Sequence, residues 1–490
     1  MVTSIELLNN VRKNLAKLIS GKVLWDKEIL DYYSVDSSSY RIKPKVVVFP
    51  KNQNDILKII KFSRENKIPI IPRGASTGLV GGALGSGIIL DLKNLNHIKV
   101  GKNFVSVGPG ITKGKLDLIL KKGESFFAPN PSIGPYCSVG GMIANNSSGS
   151  KSLKYGSVID NLLEVTIITG NGEVITLPSN KKFGKAITNF AHAIDRKKYP
   201  NVTKNSCGYR LDAIKNPNDS HKIIAGSEGT LGIIVSAKLK TKKIPQQKCL
   251  LIIEYDDIVK TTKECANILR RTKPASLEFV DEHTLKNISR RFHPSTKCLL
   301  FVEYDTNLKK NTSELKKIIL GRIVCELYDE FDIERWWRFR DLALSYNLKF
   351  IPKNMRIPNM IEDAAVPVED LDKLITIINR INRQFDTESI IYGHAGNGNL
   401  HIRLISKRKD KKLLKKLAKN FFIKVIKMGG TITAEHGDGL PRSEFVKLQY
   451  GNKNYKIFRE LKKLFDQDNV LNPGKIITEE SQIVRNLIQF

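Results

Sequence analysis

Short apolar runs alternate with longer amphipathic ones along most of the chain. VVVFP, from Val46 to Pro50, is a β-branched run closed by proline. NQNDILKIIKFSREN follows it, with Asp55 early and apolar residues at 56, 57, 59, 60 and 62. That spacing predicts a strand and then a helix. IPIIP, and beyond a glycine-rich turn GIILDL and FVSVGPG, read as further strands. In LLEVTIITGNGEVITL an Asn-Gly pair lies between two alternating runs, which signals a β-hairpin. With TLGIIVSAKLK these elements predict an α+β domain over residues 41–242, preceded by a helical segment and a polar connection over residues 1–40.

Charge and proline in TKKIPQQK mark a boundary. After it, strand-like CLLIIEYDD and CLLFVEYDT alternate with helix-like TTKECANILRR and TSELKKIILGRI. Two more helices are expected, in DLDKLITIINRINRQF and KKLLKKLAKNFFIKVIKMG, their apolar stripes facing a sheet. This predicts a second α/β layer domain over residues 243–466, with an open apolar sheet face. A tail over 467–490 holds a tight Asn-Pro-Gly turn and is expected to return to the first domain.

Composition narrows the class. At 490 residues and 41% hydrophobic, the chain has material for two or three cores. Its 81 Lys and Arg against 49 Asp and Glu give +32. The lysines are scattered without interleaved aromatics and no nucleic-acid signature appears, so no nucleic-acid partner is expected. The six cysteines form no CxxC pair, which argues against an internal iron–sulfur cluster and against a disulfide framework. The start lacks the apolar core of a signal peptide, and no run of 18 apolar residues exists. A cytoplasmic protein follows, with at most peripheral contact at the inner face of the membrane.

IPRGASTGLVGGAL lacks the spacing of a dinucleotide fingerprint and the Lys-Ser or Lys-Thr of a phosphate loop. Its glycines at 74, 78, 81 and 82, with Ser76 and Thr77, could still turn consecutive N–H groups toward an anion. PSIGPYCSVGGMIANNSSGSKSLKYG and GSEGTLGII repeat the theme. Three such segments in one α+β domain imply an extended ligand lying along backbone, as a dinucleotide would.

PRGASTGLVGG, PSIGPYCSVGGMIANNSSG and AGSEGTLGI resemble the flavin-binding domain of vanillyl-alcohol-oxidase-type (PCMH-type) FAD enzymes. YGHAGNGNLHIRL, ITAEHGDGL and LNPGKI are similar to the branch with D-lactate dehydrogenases, the FAD subunit of glycolate oxidase and D-2-hydroxyglutarate dehydrogenase. The likeness spans roughly residues 30 to 478. It implies an α+β fold in which a PCMH-type FAD domain is joined to an α/β substrate, or cap, domain with an antiparallel sheet.

By that likeness Pro72, Arg73, Gly74, Ala75, Ser76, Thr77 and Gly78 border the pyrophosphate and part of the flavin. Pro131, Ser138, Gly140, Gly141, Ala144, Asn145, Ser148 and Gly149 do the same, with Tyr155 and Gly156 close behind. Glu228, Gly229, Gly232 and Ile233 are placed near the isoalloxazine or adenosine, and Asn472 near the cofactor. The first loop has no histidine for covalent attachment. Cys137, the alternative attachment point, is read as a packed thiol, so FAD is expected to be non-covalent.

With a flavin present, oxidation of a C–H bond beside oxygen is the natural chemistry. It needs a base for the hydroxyl proton and a hold on the carboxylate. In YGHAGNGNLHIR, Gly396 and Gly398 let the chain fold back on His394, and alternation sets His401 and Arg403 on one strand face. AEHGDG adds Glu435 and His436. Two imidazoles and a carboxylate suit a borderline divalent ion such as zinc, manganese or iron. The resemblance assigns His394, His401 and Glu435 to the metal and His436 to the proton. In ERWWRFRD it makes Arg340 the carboxylate clamp, with Arg338 as second choice.

This chain departs from the family in having Asn397 for an aspartate and Asp438 for an apolar residue. Ile361 stands where 2-hydroxyglutarate enzymes carry a lysine. The expected activity is therefore oxidation of a D-2-hydroxy acid of lactate or glycolate type to the 2-oxo acid. The electrons would pass to a separate iron–sulfur subunit, a quinone or a cytochrome; a homodimer is compatible. The alternatives are D-2-hydroxyglutarate dehydrogenation, an alkylglycerone-phosphate-synthase-like reaction, or a non-catalytic FAD-binding subunit.

Overall fold

The computed structural model describes residues 4–285, 292–355, 359–407, 410–481 and 483–488. The first half holds two sheets. In one, strands Val46–Phe49, Ile88–Asp91 and Ile70–Arg73 run parallel, and Lys22–Leu24 joins antiparallel at the edge. Every residue of Val46–Phe49 and Ile88–Asp91 is buried, as expected for parallel strands covered on both faces. Helix Gln53–Asn66 covers one face with Ile56, Ile59 and Ile60, and the Asn52 side chain caps it by accepting from Asp55 N at 3.0 Å. The predicted strand, helix and strand are all present.

The second sheet is antiparallel, in the order Ile98–Val100, Phe104–Val107, Ile233–Lys240, Leu162–Ile168, Val174–Leu177. Its last two strands form the predicted hairpin, with Gly172 at φ 85° in the turn. Residues 4–40 hold helix Ser4–Leu18, a short strand and helix Lys27–Tyr32.

In the second half, six antiparallel strands run Arg322–Leu327, Cys249–Tyr255, Cys298–Tyr304, Ser276–Asp281, Glu388–His394, Asn399–Ile405. The four expected helices form as Ile258–Arg271, Leu308–Ile318, Leu371–Phe385 and Lys411–Lys427. The expected open sheet face is covered instead. Leu250, Ile252, Leu299 and Phe301 on one side pack with Ile333, Trp336 and Trp337 of helix Glu330–Phe350. Leu251, Ile253, Leu300 and Val302, alternating with them, pack against Ile268, Leu374 and Ile378. Unbroken apolar runs such as CLLIIEY need both faces buried, and the aromatic helix meets that need.

The tail reaches back to the first sheet. Leu471 bridges Ile70, Asn472 N donates to Ile70 O at 2.8 Å, and Lys475 Nζ donates to Leu84 O at 3.0 Å.

Candidate active site

A cavity of about 830 Å³ lies between the two halves, and all three glycine-rich segments line it. Residues 72–78 form one wall, where Pro72 and Arg73 end a strand. Arg73 is buried, its guanidinium donating to Tyr33 O at 3.0 Å and Val35 O at 2.9 Å. Ser138 caps helix Val139–Ala144, accepting from Gly141 N at 3.3 Å, and also accepts from Ala75 N at 3.3 Å, tying the first two segments together. A Cβ on Gly78 would meet only Asn145 Nδ2, at 3.6 Å, so a side chain there would fill the cavity. At Gly149, φ is 136° and a Cβ would stand 2.0 Å from Asn130 O, so the wall admits only glycine there. A narrow, backbone-lined cradle of this kind suits a dinucleotide.

Of the expected FAD neighbours, four lie off this wall. The Tyr155 hydroxyl donates to Asp305, and Gly156 ends a short helix beside Asp160. Ile233 is in the core of its strand, and Asn472 donates to Gly82 O at 2.9 Å and Glu228 O at 2.7 Å from behind the loops. Cys137 does line the cavity. It is buried, its Sγ 3.3 Å from Thr77 Oγ1, and burial pushes its thiol pKa up, the state of a packed thiol.

The opposite wall carries side chains. Strands Glu388–His394 and Asn399–Ile405 pair around a 3₁₀ turn, with Gly398 at φ 67°. A Cβ on Gly398 would lie 1.8 Å from Val366 O. The turn brings the His394 and His401 rings to 5.2 Å, and His401 stacks on His436 at 5.1 Å. Glu435 Oε1 lies 3.1 Å from His394 Nε2, 3.2 Å from His401 Nε2 and 3.7 Å from His436 Nε2. Ligand atoms around a tetrahedral ion with ~2.0–2.1 Å bonds stand about 3.3 Å apart, close to the Glu435 spacings to His394 and His401.

Each imidazole is braced on its far nitrogen. His394 Nδ1 lies 2.6 Å from Glu278 Oε1, His401 Nδ1 3.3 Å from Glu362 O, and His436 Nδ1 2.8 Å from Glu362 Oε1. Such partners fix the rings with Nε2 turned toward Glu435. Glu435 is gripped through Oε2 by Ser148 Oγ and by Lys204 Nζ at 3.0 Å. Burial opposes its ionisation, yet Lys204 and His394 hold its pKa well below the usual carboxylate range. Burial likewise disfavours the imidazolium of His436, but Glu362 and Asp363 outweigh it and hold the pKa above its ordinary value.

Asp363 also offers an atom to the group of His401, Glu435 and His436, all within 4.8 Å of one another. Its Oδ2, however, accepts from the backbone N–H groups of Ala434, Glu435 and His436 at 3.0, 3.0 and 2.8 Å. Through Oδ2 it shapes the loop that carries Glu435 and His436. Buried Arg442 completes the frame, donating to Gly437 O at 2.8 Å and Glu362 Oε1 at 2.8 Å.

Arg340 lines the cavity, but its Nη2 is paired with Glu278 and its Nη1 with Asp341 at 3.0 Å. Arg338 is exposed on the same helix and is no part of the cavity wall. Asn397 donates to Thr203 Oγ1 at 2.8 Å and accepts from Ser152 Oγ at 3.0 Å, outside the ligand set. Asp438 faces away, its Oδ2 accepting from Gly208 N at 2.7 Å, and burial pushes its carboxyl up to about 6. Ile361 is buried in the core.

The order of motifs and the two-halved cavity are those of an FAD-binding protein. Residues 44–178 match the FAD binding domain family, and residues 244–476 match the C-terminal domain of FAD linked oxidases. The chain is 29% identical to glycolate oxidase subunit GlcD of Bacillus subtilis over 92% of this chain and 93% of that one. It is 27% identical to a mitochondrial D-lactate dehydrogenase (cytochrome) of Arabidopsis thaliana, over 89% of this chain and 73% of the other. The solved structure of p-cresol methylhydroxylase with substrate bound superposes with a TM-score of 0.70 over 97% of both chains at 15% identity, which shows the PCMH-type fold. The chain belongs to the family of FAD-linked oxidoreductases that holds glycolate oxidase subunits, D-lactate dehydrogenases and D-2-hydroxyglutarate dehydrogenases.

Proposed function

We propose that this flavoprotein oxidises a D-2-hydroxy acid of lactate or glycolate type to the 2-oxo acid. The observation that carries this reading is the convergence of three Nε2 atoms on Glu435 Oε1 at the end of the flavin cradle. Bound FAD, held non-covalently, would supply a two-electron acceptor for the substrate's α-hydrogen. His394, His401 and Glu435 would hold a divalent cation, whose charge favours ionisation of a nearby hydroxyl. His436, its Nδ1 on Glu362, keeps Nε2 directed at the cavity and takes the hydroxyl proton. The substrate thus loses a proton to His436 and its α-hydrogen with two electrons to the cofactor. A cavity guanidinium takes the carboxylate.

The electrons then pass to a separate acceptor: an iron–sulfur subunit, a quinone or a cytochrome. The six cysteines are free thiols, with no bond between any two of them. Among the described residues no helix is long and apolar enough to cross a membrane. The test is dye-linked flavin reduction by purified protein against a panel of D- and L-2-hydroxy acids, before and after chelation. Reduction by a D-acid that chelation suppresses is the expected result; indifference to every hydroxy acid would sink the reading.

A further inference from the structure

Two guanidinium groups face the side-chain wall of the cavity, in different electrostatic states. Arg340 is buried, with carboxylates of Glu278 and Asp341 on its two terminal nitrogens, and keeps only Nε without a partner among the described residues. Its charge is already answered twice. Arg403 is half-buried in the same cavity, and its Nε donates to the Tyr392 hydroxyl at 3.3 Å. Among the described residues, no acceptor lies within hydrogen-bonding distance of either of its terminal nitrogens.

We propose that Arg403, and not Arg340, receives the substrate's C1 carboxylate, while Arg340 is a positioning residue that steadies Glu278 behind His394. This rests on the proposed hydroxy-acid chemistry and names the group that selects the acid. A carboxylate placed on Arg340 would be a third anion around one cation. Placed on Arg403, whose nearest acids Glu362 and Asp363 act without touching its terminal nitrogens, it can form two parallel N–H···O bonds. Tyr392 occupies Nε and so presents the outer edge of the fork. Tyr392 also pairs in register with His401, their rings 5.1 Å apart. His401 and Arg403 are two residues apart on one strand face, roughly 7 Å along the chain. A short 2-hydroxy acid with its hydroxyl at the imidazoles can therefore set its carboxylate on that fork. The site should take free acids and reject their esters and amides.

The test uses the flavin-loaded protein with oxalate, an acid that cannot be turned over, titrated by calorimetry, alongside KM for the best hydroxy acid. Arg403→Gln is expected to raise the oxalate Kd and the KM about 100-fold. Arg403→Lys, which keeps charge but loses the fork, should raise them about tenfold, both variants retaining wild-type flavin content. Arg340→Gln should instead lower metal content and kcat, with a smaller effect on oxalate. Oxalate affinity within twofold of wild type in Arg403→Gln would overturn the assignment, as would a larger loss in Arg340→Gln. If Arg403→Gln does not fold, Arg403→Lys decides on the same readouts. Wild-type protein that oxidises no hydroxy acid would remove the proposed function, while the oxalate titrations still report on Arg403 directly.

Discussion

The two walls of the cavity differ in what they are made of. Along residues 72–78, 138–149 and 226–232 the surface is largely main chain and small side chains, held by caps such as Ser138 and by close approaches that exclude a Cβ. Across from it stand three imidazoles and several buried carboxylates, each fixed by a partner from another segment. On the function proposed above, the first wall recognises a long ligand by shape and the second performs chemistry by charge. Damage to the first should empty the cavity of cofactor, and damage to the second should leave it loaded and idle.

His436→Ala should break the second wall most severely. Flavin reduction in anaerobic stopped flow is expected to fall about 1,000-fold with flavin content unchanged. Intact turnover would show that another group takes the proton. Metal removal comes next: chelation should cut turnover at least about 100-fold and leave the flavin absorbance in place, with recovery on adding back zinc, manganese or iron.

Glu278→Gln weakens the brace behind His394, and metal affinity measured by competitive chelator titration should drop about 10–100-fold. The first wall answers differently. Gly149→Ala forces a side chain against Asn130 O, and should reduce flavin occupancy after purification and lower the melting midpoint by several degrees. Metal content per folded protein should hold; if it falls equally, the walls are not independent.

The smallest effect sharpens the seam between them. Glu228 accepts from Asp438 N at 2.6 Å and Gly439 N at 2.9 Å, and burial with neighbouring Asp438 pushes its carboxyl up to about 8. Between its ordinary value and about 8, the folded protein holds a proton that the unfolded chain has lost. Its stabilising share is thus complete at low pH and declines as pH rises through that window. Glu228→Gln should flatten the fall in urea midpoint from pH 5 to pH 8, and an unchanged slope would refute the assignment.

What was legible in the sequence was local. Asn171-Gly172 in its hairpin, the glycine segments and the return of His401 on His394 all depend on neighbours a few residues away. The braces were not legible, because each is made at long range. Glu278 meets His394 across 116 positions, Lys204 meets Glu435 across 231, and Glu362 meets His436 across 74. A buried acid pair in IEDAAVP was the one available hint, since carboxylates in an apolar run need partners. Tyr155, Gly156, Ile233 and Asn472 were expected at the cofactor because their motifs are there. The motif's surroundings carried them, while the side chains of Tyr155, Ile233 and Asn472 serve other contacts and Gly156 closes a short helix.

The grip on Glu435 has a further consequence. Ser148 and Lys204 come from the half of the chain before residue 243, and the imidazoles come from the half after it. All three proposed ligands lie after residue 243, but that half produced alone would leave Glu435 without its Ser148 and Lys204 partners. If the cluster takes a metal as proposed, adding the first half should tighten its uptake, and that gain would report docking.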